Sequence, residues 1–366
     1  MIDPMHRPDL AAQRTKRSLV LVCKEWNLIG TPFLYEHIRL ESNHRAKTLL
    51  NTLTGDASGR LGLLILRLDL ANLRFLWKLP KTPDQWPVGP RICSYSSNLT
   101  TLIMSCSLRN EPLITHILPS TLRHMCFLDK FVLSFEDWIR FMDQYPALES
   151  VVPPAKGGHS ISTIAQGSQW LSIKELVFQG PIDTENWTKA FPEGSLPNLQ
   201  RLVLWCMISR NDEDTLSAFL HTHGRNLETL ELTQHDWSQD NMGLPANLFP
   251  IISRSCPKLY RLVWTIYDVR NVDRRASGRR PEAQESRQLP GITTLALQVL
   301  ELPTSACIDH LYNWVQCLPR LRKIVLREAD LDVLRVDFPI HLRDFVAWLE
   351  DTSRARGVGI ALEDEY

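Results

Sequence analysis

Apolar residues along this chain recur in a fixed pattern, L-x-x-L-x-L, with Ile, Val, Phe, Met or Trp standing in for Leu. It reads as Leu63-Leu66-Leu68, Leu99-Leu102-Met104 and Leu122-Met125-Phe127, then a weak copy at Leu148 and Val151. Ile173-Leu176-Phe178, Leu199-Leu202-Leu204, Leu227-Leu230-Leu232 and Leu259-Leu262-Trp264 follow, and Leu297-Leu300-Leu302 and Leu321-Ile324-Leu326 complete the set. From 99 to 227 the first positions step by 23, 26, 25, 26 and 28 residues. These steps lie within the ~20–29-residue period of leucine-rich repeats. Longer steps coincide with insertions, a proline-rich stretch within 78–97 and a polar, Arg-rich one within 268–290.

Each unit has a second half with helical period. Phe135, Trp138, Phe141 and Met142 share one helical face, with Ser134 and Asp137 placed as an N-terminal capping pair. Leu216, Phe219 and Leu220 repeat the pattern with Gly224 as a C-terminal cap, and Ile308, Leu311, Tyr312 and Val315 repeat it before Pro319. Proline or glycine then stops the helix two or three residues before the next leucine, as in Pro146-Ala-Leu148, Pro197-Asn-Leu199 and Pro257-Lys-Leu259. One unit buries too few side chains to offset the entropy of ordering it, so the units must stack. The expected fold is an α/β leucine-rich-repeat solenoid, with a curved parallel sheet on the concave side and helices on the convex side. The expected division is a flexible segment 1–17, a helical cap 18–40 and the solenoid 41–366.

Within the cap, Leu19, Val22, Cys23 and Trp26 fall on one helical face, and Thr31-Pro32 can start a second short helix carrying Leu34, Tyr35 and Ile38. Leu19-Val-Leu-Val22-Cys23-Lys-Glu-Trp26 followed by Thr31-Pro32-Phe-Leu34-Tyr35-Glu-His-Ile38 resembles the second half of an F-box. In particular it resembles the F-box that precedes leucine-rich repeats in fungal, basidiomycete-type F-box proteins. The run from Ala218 to Leu232 is similar to that family's repeats as well. The L-P-x-E-I/L helix that opens the family's motif has no match before Arg14, so the segment is read as a truncated F-box. The resemblance implies a substrate receptor of a Skp–cullin–F-box ubiquitin ligase. It also implies that Leu19, Val22, Cys23, Trp26, Pro32, Leu34 and Tyr35 contact the adaptor subunit. The same residues could instead form a plain helix that seals the first repeat, in a repeat scaffold with no ligase role.

Composition narrows the partners. Lys+Arg and Asp+Glu number 41 each, so no global field draws the chain to nucleic acid or an anionic membrane. No stretch reaches the ~18 apolar residues of a span, and the run Leu19–Cys23 is too short for a signal peptide, so an intracellular, cytoplasmic or nuclear location is expected. The 8 cysteines show no C-x-x-C pair and are expected as thiols in the core. His221 and His223 lie near Asp212, Glu213 and Asp214, a grouping that can suggest a metal. Their places at a helix end, where imidazole can meet orphan carbonyls, and at a helix start, where acids suit the dipole, account for them instead. No phosphate loop or nucleophile elbow occurs. The expectation is therefore a protein that is not an enzyme and needs no cofactor or metal, a monomer apart from its partners.

By strand alternation, the residues between the leucines face away from the leucine core. That places Glu175, Val177 and Gln179 on the concave face, then Arg201, Val203 and Trp205, then Thr229, Glu231 and Thr233. Arg261, Val263 and Thr265 follow, then Lys323, Val325 and Arg327. A protein target is expected there, with Trp205 and Arg201 as the residue types that most often carry interface energy.

Overall fold

The structure is a computed structural model. It describes residues 15–16, 18–70, 88–105, 118–128, 135–153, 169–179, 191–205, 213–233, 248–266, 288–299, 311–312, 315–327 and 339–363. The chain divides into two compact units, Met1–Ile173 and Lys174–Tyr366.

The first unit contains α1 (Lys24–Glu36), β1 (His37–Arg39), α2 (Asn43–Gly55), α3 (Arg60–Leu63), β2 (Arg67–Leu70) and α4 (Val88–Tyr95). After these come β3 (Thr101–Ser105), β4 (His124–Leu128), α5 (Phe135–Gln144) and β5 (Ser150–Val152). Its strands pair in parallel in the order β1-β2-β3-β4-β5. The second unit contains β6 (Glu175–Gln179), β7 (Arg201–Trp205), α6 (Glu213–His223), β8 (Thr229–Thr233), α7 (Leu248–Ser255) and β9 (Arg261–Ile266). It continues with β10 (Thr294–Val299), β11 (Lys323–Arg327), α8 (Pro339–Arg356) and β12 (Gly359–Glu363). Here too each strand pairs in parallel with its neighbours in sequence.

One hydrogen-bond scheme repeats at most strand entries. The first motif residue closes a turn by donating its N–H three residues back, as in Leu99 to Ser96, Leu148 to Tyr145, Leu199 to Leu196 and Leu321 to Leu318. One carbonyl of the preceding repeat then accepts two successive N–H groups: Thr100 takes Arg123 and His124, and Gln200 takes Glu228 and Thr229. Consecutive repeats are thereby locked in register where proline stopped the helix. Strand register lines up Leu176, Leu202, Leu230, Leu262, Leu295 and Ile324 as one column, each at most 1% exposed. This is a leucine-rich-repeat architecture, as the spacing predicts.

The register corrects two phases. Leu68 and Leu70 pair with Leu102 and Met104, so the first full motif is Ile65-Leu68-Leu70; Leu63 and Leu66 are exposed. Likewise Leu295 and Leu297 pair with Leu262 and Trp264, so the motif in that repeat is Ile292-Leu295-Leu297. Both phases satisfy the pattern; the helix stop Pro290-Gly291 before Ile292 marks the true one. Gly291 is needed there because a Cβ would lie 2.7 Å from the Leu259 carbonyl oxygen.

The cap also differs. The residues around Thr31-Pro32 do not start a second helix, because α1 runs unbroken through Pro32. The break falls at 20–23, where Cys23 is extended and caps α1 with its sulfur. Proline's φ suits a helix and only one backbone bond is lost. Ile38 lies in β1, aligned with Leu68, so the ladder begins inside the expected cap. α4 occupies part of the expected 78–97 insertion, and the strand β12 has no counterpart in the sequence reading.

The helical halves of the repeats bury most of the residues that their periodicity marks, Tyr312 at 39% exposure being an exception. Trp138, Phe141 and Met142 are buried, and Phe127, Trp138, Phe141 and Tyr145 form one aromatic cluster with centroid distances of 5.0 to 6.2 Å. Leu216, Phe219 and Leu220 are buried, as are Leu311 and Val315. Ser134 and Ile308, and the side chains of Phe135 and Asp137, lie outside the described residues. Gly224 is not a left-handed cap. It opens a 3-10 turn, and glycine is required because a Cβ would meet Cys256 Sγ at 2.7 Å and the Ser255 oxygen at 2.9 Å.

Candidate functional site

Two surfaces carry the candidate residues. At the amino-terminal end, Val20 is buried and anchors the turn before α1. Asn27 Nδ2 donates to the Val20 carbonyl at 3.1 Å, and Gly30 leaves room for Val20, whose Cγ1 would sit 2.6 Å from a Cβ there. Cys23 Sγ accepts the Trp26 N–H at 3.5 Å and donates to Glu25 Oε2 at 3.1 Å, which holds the Glu25 carboxyl below its usual range. Around this anchor the apolar side chains face outward. Val22 is 66% exposed and Trp26 48%, and Leu19, Cys23 and Pro32 are exposed as well. Leu34 and Tyr35 are half-buried, and burial with the nearby Asp56 charge raises the Tyr35 pKa. The sequence reading missed Leu28, Ile29 and Phe33, all more than half exposed; Trp26, Ile29 and Phe33 share one face of α1 at helical spacing.

The second surface is the sheet face opposite the leucines. Register places Val177, Val203, Glu231, Val263, Ala296 and Val325 in one column. All of these but Ala296 are expected from the sequence as concave-face contacts, and the structure corrects this: Val177, Val203 and Val263 are each 1% exposed and Glu231 2%. Strands about 4.8 Å apart leave each short side chain packed between two neighbours of its own column, and Val263, Ala296 and Val325 form one such buried cluster. Gln179, Trp205 and Thr233 align in the next column, but their side chains lie outside the described residues. Arg261 is half-buried, aligned with Thr229 and Thr294.

Arg201 is committed internally. Its Nη1 bonds Glu175 Oε1 on the strand before, and its Nη2 bonds Glu231 Oε2 on the strand after at 2.6 Å. Side-chain exposure is 11% for Arg201 and Glu175 and 3% for Glu231. Burial alone would depress the guanidinium pKa, but Glu231 and Glu175 more than reverse this and raise it. The triad holds its partners rather than presenting a charge.

On the corresponding face of the first unit, His37 and Arg67 align with Thr101 and His124, and Arg39 aligns with Asp69. Arg39 Nε stands 3.9 Å from Asp69 Oδ2. The sequence reading named concave residues in the second unit alone; strand alternation puts Arg67 and Asp69 on this face in either phase, and His37 and Arg39 fell within the expected cap.

The histidine pair separates. His221 is exposed, whereas His223 is buried, its Nε2 2.9 Å from the Phe191 carbonyl oxygen and its ring 4.8 Å from Phe219. Burial lowers the His223 pKa. The carbonyl it meets belongs to the preceding repeat rather than to its own helix end. Among the described residues no group of three His, Cys, Asp or Glu could hold a metal. Cys93, Cys126 and Cys256 are buried thiols, and burial pushes the Cys93 and Cys256 thiols up to about 12. Among the described residues no helix is long and apolar enough to cross a membrane.

No family model and no curated protein matches the chain. Among solved structures it is similar to the leucine-rich-repeat-containing protein LegL7 from Legionella pneumophila, at 14% identity and a TM-score of 0.46, over 90% of this chain and 91% of that one. It is also similar to TLR13 in a TLR13–ssRNA13 complex, at 17% identity and a TM-score of 0.32, over 63% of this chain. The match spans about a third of that chain, 32%.

Proposed function

We propose that this chain is a non-enzymatic protein-interaction module, an F-box-like substrate receptor of a Skp–cullin–F-box ubiquitin ligase. The observation that carries the reading is the outward-facing apolar side of 19–33, including Val22 and Trp26, in the stretch that resembles an F-box. Exposed large apolar side chains gathered in one short stretch favour a partner site, and Trp is a residue type that concentrates binding energy. The adaptor subunit docks on this face, and the repeat body selects the target.

The test is co-expression of the full gene product with a Skp-type adaptor and cullin, followed by size-exclusion chromatography. Co-elution is expected, and the Val22→Ser, Trp26→Ala double variant should lose it while remaining folded. Absence of adaptor and cullin from the wild-type peak would leave a repeat scaffold without a ligase role.

A further inference from the structure

Among the described residues, the leucine columns of the second unit end at β12, the outermost strand of the sheet. Ile360 and Leu362 align with Ile324 and Leu326 of β11 and continue their columns. Ile324 and Leu326 are 0% and 4% exposed, whereas Ile360 and Leu362 are 42% and 64%, because no described strand lies beyond them. The backbone edge is open at the same place. The Gly359 N–H donates to the Arg322 carbonyl at 2.8 Å. Alternation then turns the backbone groups of Gly359, Ala361 and Glu363 toward β11 and those of Ile360 and Leu362 outward. Edge strands are commonly blunted by shortness, charge or proline. β1, the outer strand of the first unit, has three residues, His37 and Arg39 among them. β12 has five, with no proline and no charge before Glu363.

We propose that β12 pairs antiparallel with β12 of a second copy of this chain, about a two-fold axis at Ala361. In that register Ile360 of each copy lies opposite Leu362 of the other, and Gly359 lies opposite Glu363, which keeps the two Glu363 carboxylates apart. Residues directly opposite share a face of the sheet, so the open leucine columns continue into the second copy. The opposed apolar residues are also those whose backbone groups point outward. Each such pair therefore exchanges two N–H···O=C bonds. The side-chain pattern and the backbone alternation select the same axis independently. The proposal departs from the monomer expected from the sequence and does not depend on the adaptor reading.

The experiment is sedimentation equilibrium of the full chain over a range of concentrations, with disulfide trapping to read the register. Wild type should approach twice the chain mass of 42.1 kDa as concentration rises. Leu362→Pro removes an outward N–H that no described group of the chain meets, and proline is tolerated at such an edge. It should raise the dimer Kd about tenfold or more, since the two-fold axis repeats each loss. Ile360→Ser with Leu362→Ser, which leaves the backbone donors in place, should weaken the dimer as well. Ala361→Cys should crosslink to its own copy under mild oxidation, above the level that the natural cysteines give. A non-hydrogen-bonded antiparallel pair sets its Cα atoms about 4.5 Å apart, within disulfide reach. Gly359→Cys, where a Cβ meets nothing closer than 3.7 Å, should not crosslink, because the register holds the two positions about 13 Å apart. Thermal melting checks that each variant folds. A single-chain mass for wild type at every concentration overturns the proposal, whatever else binds this edge. A dimer unmoved by Leu362→Pro and by the double Ser variant overturns it too, as does one trapped by Gly359→Cys and not by Ala361→Cys.

Discussion

At the scale of single residues, Arg201 shows how a repeat protein spends its charges. Two carboxylates and a guanidinium taken out of water are stable only together, because each has lost its hydration. Arg201→Met should therefore cost about 3–5 kcal/mol by leaving Glu175 and Glu231 buried against each other. Adding Glu175→Leu and Glu231→Leu should return most of that loss. Urea unfolding midpoints read both effects, and a triple variant less stable than Arg201→Met would refute the account. His223 makes a second case. Its folded pKa lies below its unfolded value, so the unfolded chain binds the proton more readily. This contribution is complete above the unfolded pKa, near 6.5, and is lost as pH falls from there toward the folded pKa. Wild type should lose stability between pH 7 and 5 more steeply than His223→Phe, measured by denaturant titration at each pH. Parallel slopes would show that the ring does not titrate with folding.

At the scale of elements, legibility followed the redundancy of the signal. Strands β7, β8 and β9 were the most legible because the leucine period and a helix stop at Pro197, Gly224 or Pro257 agree, whereas β3 and β6 rested on the leucine period alone and β5 on a weak copy of it. The Ile292 repeat was misread because two overlapping triples fit the same pattern, and only the Pro290-Gly291 stop separates them. The first motif slipped for a similar reason. Leu63, Leu66 and Leu68 match the pattern, but Leu63 closes a short helix and Leu66 is exposed. That slip left Arg67 and Asp69 on the same face, since a two-residue shift preserves the alternation, and changed only which residues of the next strand they align with. The face assignment in the second unit was right and its exposure wrong. Alternation tells which side a valine faces; whether water reaches it depends on neighbours one strand away. β12 escaped notice because Ile360 and Leu362 lack the leading leucine, and they stay exposed at 42% and 64%.

For the molecule as a whole, the exposed apolar surface is unevenly shared. Of 16 large apolar side chains exposed among the described residues, seven fall between Leu19 and Phe33. The leucine columns are buried to within a few per cent without this stretch, and the proposed reading of it as a partner surface follows from that contrast. Residues kept for a partner should be dispensable to the fold. Leu28→Ser with Ile29→Ser removes two side chains exposed at 73% and 66%, and exposed substitutions of this kind change stability by only about 0.5 kcal/mol each. The double variant should therefore melt within about 4 °C of wild type. Wild type is expected to take up the hydrophobic dye ANS in its native state, and the double variant markedly less. A melt lowered by 10 °C or more would mean that α1 seals the first repeat through these residues. Undiminished dye uptake with an unchanged melt would place the apolar surface elsewhere on the chain.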